Sequence, residues 1–141
     1  LHMWAVFEAM IELLEPEEMA NLMGGLLPQM IEAMPSPFPA VMQMVKASPW
    51  PLRDAMIAAM KPVMPALFPR LMPGMMPKVM PDMLAAVERR IDMPQEMEEQ
   101  MPDLMPAAME NLMPKMLPLV IPYFMPKMEA YLRNGWTPGR A

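Results

Sequence analysis

The chain repeats a Met-Pro-x-x tetrapeptide until that repeat dominates its chemistry. Every fourth residue from 93 to 125 is apolar: Met93, Met97, Met101, Met105, Met109, Met113, Leu117, Ile121 and Met125. A second column runs Met56, Met60, Met64, Phe68, Met72, Met76 and Met80, and proline follows most members of both. A straight α-helix has about 3.6 residues per turn, so a four-residue stripe drifts about 40° per repeat and about 240° over six. A repeat longer than 3.6 calls for right-handed coiling, and each internal proline removes one backbone bond and bends the helix. The expected form is therefore a chain of short helical turns curving in one sense, with the Met and aliphatic face turned inward. A disordered or polyproline-II run would leave that face exposed.

Proline makes up 21 of the 141 residues and methionine 25, where average usage of proline is about 5%. Such proline content marks disordered chains, but those are poor in apolar residues. This chain is 55% hydrophobic and must bury that surface in itself, in a partner, in a ligand or against a membrane. Its length suits one domain, and burying roughly 65–70% of the extended surface is hard with so many helix breaks. Self-association is the expectation. No stretch reaches the ~18 uncharged apolar residues that span a bilayer. The N-terminus has no basic region and does not read as a signal peptide; Leu1-His2-Met3 reads as a cloning remnant.

Residues 1–34 read as short N-terminal helices: an apolar face from Met3 to Leu14, a fresh start at Pro16-Glu17-Glu18, and a stop at Gly24-Gly25. Residues 35–51 form a proline-rich connector, with room for a short helix from Ala40 to Ala47. The first Met-Pro array covers 52–84, an acidic helical bridge 85–100, the second array 101–133, and a mobile tail 134–141. Sorted by fours, the first array places Ala55, Ala59, Val63, Leu67, Leu71, Met75, Val79 and Met83 directly before the main column. The two remaining columns hold the prolines and polar residues. The arrays can pack as an antiparallel hairpin or line a groove made by several chains.

Charge alternates in blocks. Residues 1–45 hold six acids and no Lys or Arg (−6), and residues 46–81 five bases against Asp54 (+4). Residues 82–110 hold eight acids against two bases (−6), and residues 111–141 four bases against Glu129 (+3). Oppositely charged segments packing together is the plain reading. The sharper one turns the basic blocks, which are also the arrays, toward anionic lipid through Arg53, Lys61, Arg70 and Lys78.

Catalytic chemistry has little to work with. There is one His, two Ser, one Thr and no Cys, so no nucleophile–base pair is available. Asp92, Glu96, Glu99 and Asp103 could share a helical face, but exposed carboxylates on a helix are usually solvated. Glycine is too scarce for a phosphate loop, and the acidic balance with few aromatics argues against nucleic acid. Thioethers are soft ligands that select Cu(I), and Met-x-x-x-Met resembles the spacing in copper-transport proteins. Here Leu, Ile and Phe replace Met freely within a column, which points to packing. Methionine as an adaptable hydrophobe fits better.

The sequence therefore predicts an all-α, proline-kinked, oligomeric module with no catalytic site, metal or cofactor. Its apolar binding face would comprise Met56, Met60, Met64, Phe68, Met72, Met76 and Met80 with Met101, Met105, Met109, Met113, Leu117, Ile121 and Met125. That face would serve a lipophilic molecule such as a lipid or quinone, an anionic membrane surface, or a protein partner, in the cytoplasm or peripheral to the membrane. The alternatives are Cu(I) binding and a purely structural role in a larger redox or membrane-associated assembly. If each X-Pro bond is cis about 10% of the time when unfolded, only roughly a tenth of chains start all-trans. Refolding after long denaturation should show slow phases of tens of seconds or more, and brief denaturation in a double-jump experiment should suppress them.

Overall fold

The computed structural model describes residues 2–90 and 92–134, and the tail expected at 134–141 falls outside it beyond Asn134. The described residues are all-α: α1 (His2–Glu12), α2 (Pro16–Gly24), α3 (Leu27–Glu32), α4 (Phe38–Ala47), α5 (Trp50–Met60), α6 (Met64–Arg90), α7 (Gln95–Asn111) and α8 (Met113–Arg133). None of these helices is long and apolar enough to cross a membrane.

Proline starts the helices. It stands at the first or second position of α2, α3, α4, α5 and α8, and Pro94 is the N-cap of α7. None of these six has a side-chain cap bond. In a chain with so few Ser and Thr, proline does the work differently. It removes an N–H that would have lacked a partner and fixes φ at a helical value. Pro94 also pushes Met93 out of the α region, so the expected bridge is divided: α6 runs to Arg90, and α7 begins at Gln95. The turn 61–63, with Pro62 at its centre, likewise divides the first array into α5 and α6. The connector contains a cis Ser36–Pro37 bond, and α4 occupies most of the segment between it and α5.

Proline also lies inside the long helices, at Pro69, Pro73, Pro77 and Pro81 of α6, Pro102 and Pro106 of α7, and Pro118, Pro122 and Pro126 of α8. These helices resolve the mismatch between four and 3.6 by handing burial from one column to its neighbour. In α6 the buried residues begin as Met64, Phe68, Met72 and Met76 and pass to Leu71, Met75, Val79 and Met83. In α7 they pass from Met97, Met101 and Met105 to Leu104 and Ala108. In α8 they pass from Met113, Leu117 and Ile121 to Val120, Phe124 and Met128. Adjacent residues sit about 100° apart, so a drift of about 40° per repeat brings the preceding column to the core after two or three repeats. That is why both columns must be apolar.

One core joins the elements. α2 packs closely along α8, with α1 against α7 and α3 against α4 and α6. At Gly24, where α2 approaches α8, a Cβ would lie 3.2 Å from Lys127 Cδ, a contact that a small shift of the flexible lysine chain would relieve. Phe68 of α6 meets Phe124 of α8 with ring centroids 4.9 Å apart and planes tilted by 36°. Both rings are buried, in the contact range where aromatic pairs add to simple burial. At the surface Arg133 bonds Asp54 and Glu129, and Lys61 Nζ lies 3.4 Å from Glu129, so α5 is tied to α8. Such exposed pairs contribute little individually.

Two outcomes follow from this packing. Gly74 lies within α6, and a Cβ there would meet no atom within 4 Å. Gly74→Ala should raise stability by about 0.5–1 kcal/mol, read from the denaturant midpoint. Burial first, and the Glu32 carboxylate second, hold the Tyr131 phenol above its usual value of 10.0. Only the folded state disfavours the phenolate, so this contribution is complete below the unfolded value and is lost as pH rises through the higher folded one. Tyr131→Phe should flatten the loss of stability above about pH 10, measured by denaturation at several alkaline pH values.

Candidate functional site

The two arrays face each other across an open groove of about 830 Å³. One wall is α6, through Pro69, Met72, Pro73, Met76, Pro77 and Met80. The other is the end of α7 and the start of α8, through Pro106, Glu110, Met113, Pro114, Leu117 and Pro118. The Phe68–Phe124 contact stands at one end. From it residue numbers rise along α6 and fall along the facing wall, so the walls run antiparallel.

The helical repeat explains this lining. On these walls Met72, Met76, Met113 and Leu117 are each followed by a proline, and that proline sits one residue outward on the same helix. Met72, Met76, Met113 and Leu117 are nearly buried and form the floor, whereas Pro73, Pro77, Pro106, Pro114 and Pro118 are exposed and form the rims. Methionine supplies a polarizable floor that can adjust its shape. Proline supplies rigid apolar walls with no N–H to hydrate. Glu110 is the charged residue among the described lining.

The expected binding face is divided by the fold. Met72, Met76, Met80, Met113 and Leu117 line the groove. Met60, Met64 and Met125 line a second cavity of about 370 Å³ between α5, α6 and α8, whose mouth carries Lys61 and Glu129. Met101 and Met105 border a small apolar void of about 30 Å³ in the core beneath Phe7. Phe68 is locked against Phe124, Ile121 is buried, and Met56 is half-buried against the core. The side chain of Met109 lies outside the described residues.

The four cations are not gathered. Arg53 lies over the Trp50 ring, 5.6 Å from its centroid, and donates to the Lys46 carbonyl, while its buried Nε has no partner. Lys61 pairs with Glu129. Arg70 and Lys78 are exposed on α6, and neither lines a cavity described above. Of the acids considered as a cluster, Asp92 precedes α7, and Glu96, Glu99 and Asp103 are exposed along it. Among the described residues no three His, Asp or Glu side chains come together in a metal-holding group.

Sequence reasoning did not single out Glu110, although a signal was there. From Pro94 to Pro126 every fourth residue is proline except Glu98 and Glu110. Glu110 thus replaces a rim proline between Pro106 and Pro114. Comparison with protein-family models, curated proteins and solved structures finds no match to this chain.

Proposed function

We propose that the protein is a non-enzymatic binding module that holds a lipophilic molecule between its two Met-Pro arrays. The observation that carries this reading is the groove itself. Its volume of about 830 Å³ falls in the range of roughly 300–1,000 Å³ that small-molecule sites occupy. Its floor is methionine and leucine, and its walls are largely proline. A mobile thioether floor suits an apolar occupant of irregular shape, such as a lipid chain or a quinone-like ring.

Several finer features belong to the same proposal. Bending of the helices at their internal prolines would set the groove's width. Self-association would cover exposed apolar side chains such as Leu119, Tyr123 and Val63. Arg70 and Lys78, exposed beside the rim prolines Pro69 and Pro77, would let the open side rest against a membrane that delivers the ligand.

A neutral solvatochromic dye such as Nile red tests the reading. It should bind with enhanced, blue-shifted emission. Met80→Trp, which fills the groove from a half-buried position, should weaken binding at least tenfold while leaving the helical circular dichroism unchanged. The double change Met72→Leu and Met76→Leu conserves volume and should shift affinity by less than about threefold. A Cu(I) site on those thioethers would instead be lost. Unaltered dye binding by Met80→Trp would show that the groove is not the site.

A further inference from the structure

We propose that the groove selects a lipophilic cation, an apolar body bearing a protonated amine, with its ammonium group beside Glu110. This rests on the groove as a lipophilic site and adds the charge of its occupant.

The hydrogen-bonding inventory of the lining comes first. Methionine offers only a weakly accepting sulfur, proline a carbonyl and no N–H, leucine no polar side-chain atom, and an ionised glutamate acceptors only. No described lining side chain is a donor. An anion entering this groove would lose water and gain no hydrogen bond, which is strongly unfavourable. An ammonium group would meet acceptors alone.

The backbone deepens that bias. A proline inside a helix deprives the carbonyl four residues earlier of its donor. Because prolines recur every fourth residue, that carbonyl usually belongs to the preceding proline. Pro69, Pro73 and Pro77 deprive the carbonyls of Pro65, Pro69 and Pro73, while Pro106 and Pro118 deprive those of Pro102 and Pro114. The columns whose rings form the rims therefore also carry carbonyls without their helical partners. Both walls of the groove share this property.

Charge points the same way. Glu110 is exposed at the groove and takes part in none of the ion pairs that join α5 to α8. The C-terminal end of α7 and the N-terminal start of α8 meet at Leu112, so their opposed partial charges offset. The net charge of the lining is that of Glu110. Arg70, Lys78 and Lys115 lie on the same helices but outside the lining, which makes an amphiphilic anion the natural competitor.

Three amphiphiles with one tail separate the cases: dodecylammonium, dodecanol and dodecyl sulfate, each well below its micellar concentration. Displacement of Nile red is followed alongside circular dichroism, with Glu110→Gln and, as a control for overall negative charge, Glu98→Gln. Dodecylammonium should displace the dye at a concentration at least tenfold below that of dodecyl sulfate. Glu110→Gln should cut that preference to about threefold or less by weakening dodecylammonium more than dodecanol; Glu98→Gln should leave it intact. Equal or tighter binding of dodecyl sulfate overturns the cation proposal while the groove reading stands. A preference that survives Glu110→Gln also overturns it, by placing the selectivity in the general charge of the protein. Failure of the dye itself to bind defeats both readings.

Discussion

A helix turns every 3.6 residues while this chain repeats every four, and the arrangement of the three long helices follows from that mismatch. A single apolar column would spiral out of the core within a few turns. Two adjacent apolar columns allow one to take over as the other leaves. Met80 and Met125, late members of their columns, are only half-buried, while Val79 and Phe124 beside them are among the most buried residues of the protein. The side chains leaving the core do not vanish from the structure. They become walls of the groove and of the smaller cavity.

Proline gives this arrangement its second property. At the start of a helix its missing N–H removes a group that would have gone unbonded, which is why so many of these helices begin with it. Inside a helix the same missing N–H takes the donor from a carbonyl one turn back. Water can satisfy such carbonyls where they are exposed, and the internal prolines of α6, α7 and α8 lie on exposed or half-exposed faces. Apolar rings and carbonyls without their usual helical donor thus share one surface, a combination that ordinary helices do not present.

The helical class was legible because apolar periodicity and the prolines at helix starts act locally. The groove was less so. The columns named the right kinds of residue, yet Met101 and Met72 look equivalent in sequence, and one borders the core void while the other floors the groove. That difference depends on which helix packs opposite, a tertiary fact with no local signature. Arg53 illustrates the same limit. As a charge in a basic block it resembled a lipid contact, but α4 and α5 place it between the Lys46 carbonyl and the Trp50 ring. Glu110 was visible as an interruption of the proline column, though its place on a groove wall required the fold.

The core is built to an unusual degree from sulfur. Met23, Met75 and Met97 have no exposed surface, while Met44 is 54% exposed. Oxidation turns a thioether into a polar sulfoxide that no apolar interior accommodates. A buried methionine can meet peroxide only when its surroundings open, and once altered it resists being packed again. Each buried sulfur therefore acts as a latch that keeps a chemical trace of the moment its part of the molecule came apart.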